Sequence, residues 1–265
     1  MNIIRIEDLT DERVKIFTGL NDKQVKRIYE PDLGLFIAES EKVIERAIDG
    51  GYEPVAFFAD EDKIDSVERL AGKSGDVPIF ISPAEIMKKI TGYALTGGVL
   101  AALKRKNPGD IESLLTKYTK VVVLDDVENP TNIGAIFRSA AALGCECVLL
   151  TDGSADPLYR RAARVSMGTV FQIEWAYVGN DVMAKLKENG FHTMALALSD
   201  NSIELGSKPI NVYPKRAVIM GNEDHGISKD ILEASDSVIK IPMKSGVDSL
   251  NVAAASAVAF WEAFK

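Results

Sequence analysis

Two cysteines and two histidines in 265 residues leave little material for a metal centre or a disulfide framework. Cys145 and Cys147 sit two apart in "CECVLL", a stretch that reads as a strand with both side chains on one face. Such neighbours are poorly placed to bridge, and buried free thiols are the expectation. No apolar run approaches the ~20 residues of a membrane span. The start, "MNIIRIEDLTDERVK", has no basic segment followed by an apolar one, so it does not read as a secretory signal, and a cytoplasmic protein is expected. Neither G-x-x-x-x-G-K-[ST] nor G-x-G-x-x-G occurs, which ranks a nucleotide-phosphate enzyme last. Positive charge is not in excess either: 31 Lys and Arg face 39 Asp and Glu, a formal charge of -8 that does not advertise nucleic acid binding. Local basic clusters still count, because distant acidic groups are screened beyond a Debye length of ~8 Å.

What is present is the composition of an ordinary globular protein, 46% hydrophobic and 26% charged, with enough chain for two modest domains. The clearest break is "KRKNPGD", residues 104 to 110, where a basic run meets a strong turn signal. It separates an amino-terminal α/β domain, residues 1–106, from a carboxyl-terminal domain, residues 107–265. In the first, "GLFIAES", "PVAFFAD", "VPIFI" and "GGVLAALKR" read as strands. "EKVIERAIDGG" is a helix with a glycine cap, and "SPAE" supplies a capping box with Ser82 as N-cap. No catalytic cluster is evident there, so this domain is read as a substrate-recognition module. In the second, "KVVVLDDV" is a continuous apolar run suited to a strand buried on both faces of a parallel sheet. Apolar residues at helical spacing from Ile133 to Ala141 and the strand "CECVLL" complete a βαβ unit. "VFQIEW", "HTMALAL", "RAVIM" and "SVIKIP" are further strands, so the sheet should be mostly parallel.

Ligands of open parallel sheets lie beyond the carboxyl ends of the strands. Three unusual loops fall there: "ENPTNIG", "GNEDHGIS" and "MKSGVDSLN", each combining glycine with polar side chains. Asn132 suits an N-cap. Arg138 lies off the apolar stripe of its helix, so either a solvated helix arginine or a two-pronged phosphate grip is open. Glu223 sits between two glycines, in a surface turn or a site. Asp248 or Ser249 suits the cap of the last helix, "NVAAASAVAFWEAF", whose small and apolar residues run nearly all round and require cover on several sides. In "DPLYRRAARVSMG", Asp156 and Pro157 make a helix start. Arg160 and Arg164 then share a face beside Arg161, either as a solvated basic face or as an RNA phosphate patch.

At these residues the sequence resembles the SpoU (TrmH) branch of the SPOUT methyltransferases. Three motifs match in order, "NPTNIGAIFR", "IMGNEDHGIS" and "IPMKSGVDSLNVAAA", across residues 118 to 265. "RVSMG" is also similar, and the first half more loosely resembles the substrate-binding domain of the ribosomal-RNA members. The resemblance implies a trefoil-knotted α/β methyltransferase domain, S-adenosyl-L-methionine as methyl donor, a homodimer with composite active sites, and no metal. Asn132, Arg138, Glu223, Ser249 and Asn251 match its catalytic positions, while Leu198, Gly221, Ile241, Ser249 and Leu250 would surround the cofactor. The expected activity is methylation of a ribose 2'-hydroxyl in RNA, 23S rRNA ahead of tRNA. A catalytically silent RNA-binding protein of the same fold is the alternative, and the intact Asn132, Arg138, Ser249 and Asn251 argue against it.

Overall fold

The structure is a computed structural model that describes residues 2–18, 34–91, 97–199, 202–244, 246 and 249–264. Two compact units emerge: Met1–Asn107 together with Leu158–Gln172, and Pro108–Pro157 together with Ile173–Lys265. Among the described residues no helix is long and apolar enough to cross a membrane.

The first unit is built on a mixed five-stranded sheet of β1 (Asn2–Arg5), β2 (Leu35–Glu39), β3 (Pro54–Asp60), β4 (Pro78–Ser82) and β5 (Val99–Lys104), in the order β1-β4-β3-β5-β2. β1 and β3 run parallel to β4, whereas β5 is antiparallel to β3 and β2. The helix Glu41–Asp49 ends as expected, with Gly51 in the left-handed region at φ 75°. Ser82 does not cap the next helix. It closes β4 with its side chain fully buried, and the Pro83 carbonyl instead accepts the N–H groups of Ile86 and Met87.

The stretch Leu158–Gln172 packs into this unit for two physical reasons. Glu39, only 3% exposed, accepts hydrogen bonds from Arg160 Nε at 2.9 Å and Arg164 Nη1 at 3.3 Å, so both arginines share one buried carboxylate. Phe171 also lies against Phe36 and Tyr52, with ring centroids 5.6 and 5.2 Å away. The helix here is Arg160–Val165 and starts later than Asp156–Pro157, both of which are buried. Thr169–Phe171 forms a 3-10 turn, so the strand expected from "VFQIEW" begins only at Glu174.

The second unit carries β6 (Lys120–Leu124), β7 (Cys147–Thr151), β8 (Glu174–Val178), β9 (His192–Leu196), β10 (Ile203–Glu204), β11 (Arg216–Met220) and β12 (Ser237–Lys240). They form one sheet in the order β10-β12-β9-β11-β6-β7-β8, and every pairing is parallel. Burial on both faces explains the unbroken apolar run of β6. Val121 and Val123 join a core with Leu149, Ala217 and Ile219, and Val122 and Leu124 on the opposite side are equally inaccessible. The helix Val252–Phe264 packs on both the helix Pro130–Ala142 and β11. Two cations at the starts of the central strands hold its last carbonyls: Lys120 Nζ donates to Phe264 O and Arg216 Nε to Ala263 O. Both cysteines are buried and free, but Cys145 lies just before β7 rather than within it.

Candidate active site

Four neighbouring strands, β12, β9, β11 and β6, send their carboxyl ends to one edge of the sheet, so segments far apart in sequence meet there. The ends of β9, β11 and β12 border a cleft of about 620 Å³. Leu198, Gly221, Ile241, Ser249 and Leu250, the five positions expected around a cofactor, all line it, and so do Glu223 and Asn251. Its wall is partly apolar through Leu196, Met220, Ile227 and Val252, and its rim carries Asp224, His225 and Lys240.

The loop after β11 is pinned into one shape. Asn222 N donates to Gly226 O at 2.9 Å and Gly226 N returns a bond to Asn222 O at 3.0 Å. Asn222 Oδ1 accepts the N–H groups of Asp224 and His225, an Asx turn inside that ring. Closure is tight enough that a Cβ on Gly221 would lie 2.2 Å from Gly226 C. The "N-E-D" spacing carried the signal for Asn222, which sequence reasoning passed over.

The loop after β6 behaves differently from the expectation. The N-cap is Asn129, whose side chain accepts the N–H of Thr131 at 2.8 Å, and Pro130 occupies the first helical position. Asn132 therefore lies inside the helix, 7% exposed, and its amide is free for longer-range bonds. Asn132 Nδ2 donates to Glu223 Oε1 at 2.6 Å, and Asn132 Oδ1 accepts from Asn251 Nδ2 at 3.2 Å. Asn251 also caps the last helix, since its Oδ1 accepts the N–H of Ala253 at 3.0 Å. Ser249 is not that cap, and Asp248 lies outside the described residues. One hydrogen-bonded chain, Asn251–Asn132–Glu223, thus joins the three loops.

Arg138 is not part of it. Six residues beyond Asn132 on the same helix, it is displaced by ~9 Å along the axis and about 120° around it. It is exposed and does not line the cleft. Among the described residues no group of three or more His, Cys, Asp or Glu side chains is arranged to hold a metal ion.

A family model described as the SpoU rRNA Methylase family matches residues 119–261. The chain belongs to this family. A Mycobacterium bovis protein named as an uncharacterized tRNA/rRNA methyltransferase, Mb0905, is 34% identical over 259 residues, which is 96% of this chain and 89% of its own. The 23S rRNA (guanosine(2553)-2'-O)-methyltransferase RlmP of Bacillus subtilis is 26% identical over 96% of both chains. Among solved structures, the AdoMet-bound rRNA methyltransferase from Sinorhizobium meliloti superposes with a TM-score of 0.84, covering 98% of this chain and 97% of that one at 24% identity. That likeness establishes a SpoU-type α/β fold over both units, and the family model spans the β6-to-Trp261 region that contains every cleft residue.

Proposed function

We propose that this SpoU-family protein is a cytoplasmic, S-adenosylmethionine-dependent methyltransferase acting on a ribose 2'-hydroxyl of RNA, with 23S rRNA as the substrate, and that it works as a homodimer. The Asn251–Asn132–Glu223 chain at the rim of the 620 Å³ cleft carries this reading. A trefoil knot in the carboxyl-terminal unit belongs to the same proposal. The Bacillus subtilis relative, named for 2'-O-methylation of 23S rRNA and aligned over 96% of both chains, supports the choice of substrate.

The cleft fits the proposed cofactor in size and chemistry, since sites for such ligands are ~300–1,000 Å³ and mostly apolar with a few fixed polar groups. Leu198, Gly221, Ile241, Ser249 and Leu250 would hold it, largely through backbone groups, with Gly221 adjoining the closed Asn222–Gly226 ring. Bound there, it supplies a methyl group on a sulfonium leaving group. Asn132, with its amide fixed on both sides, would orient the ribose hydroxyl. Transfer of that methyl group to the ribose oxygen would require the hydroxyl proton to leave. A guanidinium has no lone pair to take it, so Arg138 would grip an RNA phosphate and stabilise developing negative charge while phosphate or water accepts the proton.

Arg138 leaves its helix about 120° around the axis from Asn132 and ~9 Å along it, which favours a second copy. The helix Val252–Phe264 leaves Val258 41% and Trp261 60% exposed, and it lies against the helix that bears Arg138. A partner covering this face would bring its own Arg138 to the cleft and would shield the apolar surface. In the first unit Arg161 is exposed while Arg160 and Arg164 sit on Glu39, and we assign these three arginines to the RNA backbone. Mapping 2'-O-methyl positions in rRNA and tRNA from cells with and without the gene tests the reading. Loss of one site in 23S rRNA is expected. Loss in tRNA alone would move the substrate, and no lost site in either would end the proposal.

A further inference from the structure

Between the end of β6 at Leu124 and the helix that carries Asn132 lies "DDV", residues 125 to 127. Asp125 is 5% exposed, and its Oδ2 accepts the N–H of Ser228 at 2.7 Å. Its own N–H donates to Met220 O at 2.8 Å and extends the β6–β11 ladder by one rung. Asp126 then turns into the left-handed region at φ 54°, which is uncommon for a residue other than glycine and better tolerated by aspartate than by most. This turn aims its carbonyl at the cleft loop, where Asn222 Nδ2 donates to it at 2.8 Å. Two consecutive residues therefore hold the loop at both ends, Asn222 at its entry and Ser228 at its exit.

The unusual backbone at Asp126 is itself held in place. Thr151 Oγ1, at the end of β7, donates to Asp126 Oδ1 at 2.6 Å and accepts the N–H of Asp126 at 2.8 Å. Gly153 makes room for that carboxylate, because a Cβ there would stand 2.3 Å from Asp126 Oδ1. Neither aspartate lines the cleft, and both act on it through the loop they hold.

We propose that Asp125 and Asp126 are positioning residues that clamp residues 221–228 and so preset the wall of the cleft that presents Gly221 and Glu223, an inference that rests on the cleft being the methyl-donor site. The physical basis is asymmetric. In the closed loop the buried Asp125 carboxylate has the Ser228 N–H as its partner, and if the loop swings away that charge is left in a poorly solvated place without it. Opening is penalised, and the loop waits in its binding shape.

The test pairs Asp125→Ala with Asp125→Asn. Two readouts are followed: hydrogen exchange of the 221–228 peptide without ligand, and the Kd of S-adenosylhomocysteine. Asp125→Ala should exchange about tenfold faster in that peptide and bind about tenfold more weakly, with exchange in β6 unchanged. Asp125→Asn keeps an acceptor oxygen in place and should bring both quantities back to within about threefold of wild type. A folded Asp125→Ala protein with unchanged exchange, or with an unchanged Kd, overturns the clamp. If Asp125→Ala does not fold, Thr151→Val, away from the cleft, releases the Asp126 turn that presents its carbonyl to Asn222 and is read by the same two measurements with the same criteria. Wild-type protein that binds no S-adenosylhomocysteine would sink the donor-site reading, while exchange in the unliganded variants would still decide the clamp.

Discussion

Gly221→Ala confronts the cleft with a collision that cannot be relieved by a side-chain rotation. Its Cβ would lie 2.2 Å from Gly226 C, 2.3 Å from Ile227 N and 2.4 Å from Gly226 O, all backbone atoms. Restoring ordinary van der Waals contact requires a backbone shift of roughly 1 Å. That movement stretches both bonds of the Asn222–Gly226 ring, now 2.9 and 3.0 Å, beyond hydrogen-bonding range. Two lost bonds at ~1 kcal/mol each, with ~1–3 kcal/mol of overpacking, total about 3–5 kcal/mol. For a unit of this size, at ~2–4 °C per kcal/mol, the melting temperature should fall by ~6–20 °C. Calorimetry and titration with S-adenosylhomocysteine measure the two consequences, and binding should weaken by about a hundredfold or more as the wall deforms. Gly190→Ala is the control. At φ 78° with no atom within 4 Å of its would-be Cβ, it carries a conformational cost of ~1–2 kcal/mol and should leave donor affinity unchanged. Gly221→Ala that melts like wild type and binds donor normally would show that the loop is not closed as described.

Three further outcomes follow from the same contacts. Asn132→Ala leaves Glu223 and Asn251 without their shared partner, so methyl transfer in single turnover should fall ~10²-fold or more while donor affinity changes little, and equal losses in both would assign Asn132 to donor binding instead. Burial pushes the Cys145 thiol up to about 12, so a thiol reagent at mildly alkaline pH should label it only on unfolding, and rapid labelling of the native protein would contradict the packing. Burial also lowers the pKa of His192, with Asp236 partly opposing. The unfolded chain then takes up the proton first, so this contribution to stability is complete above about pH 6.5 and declines as pH falls below it. His192→Phe, which keeps a ring against Tyr213, should flatten the fall in melting temperature between about pH 7.5 and 5.5, and an unchanged slope would refute the assignment.

Much of this arrangement was legible in sequence because the dominant signal is burial. β3 spans the seven residues of "PVAFFAD", and β6 follows from an apolar run that only a sheet covered on both faces tolerates. The three polar, glycine-bearing loops were found for the same reason, as interruptions of those runs. Short edge strands gave no comparable signal: β10 has two residues, and β1 is mostly exposed. The late start of β8 is a tertiary effect, since Phe171 is drawn against Phe36 and Tyr52 and the intervening backbone cannot remain extended. Asn132 shows how a local rule misleads. Two asparagines flank Pro130, and only the one before it can cap, which frees the second for the site. The Asp125–Ser228 bond joins residues 103 positions apart, and no local pattern in "DDV" could announce it.

The placement of Arg138 sets a sharper test of the assembly than a measurement of molecular mass. Suppose each active site takes Asn132 from one subunit and Arg138 from the other. A heterodimer purified from co-expressed Asn132→Ala and Arg138→Ala chains, distinguished by tags, then contains one site lacking both residues and one site lacking neither. Its activity should be about half that of wild type, although each parental homodimer is nearly inactive. If Arg138 instead served the cleft of its own chain, both sites of the heterodimer would carry one lesion, and the preparation would be as inactive as its parents. The helix geometry favours the first outcome, because ~9 Å of rise and a ~120° rotation separate the two side chains and no rotamer of arginine reverses the direction in which its Cβ leaves the helix. An inactive heterodimer with intact donor binding would therefore remove Arg138 from the partner's site and, with it, the reason for a composite one.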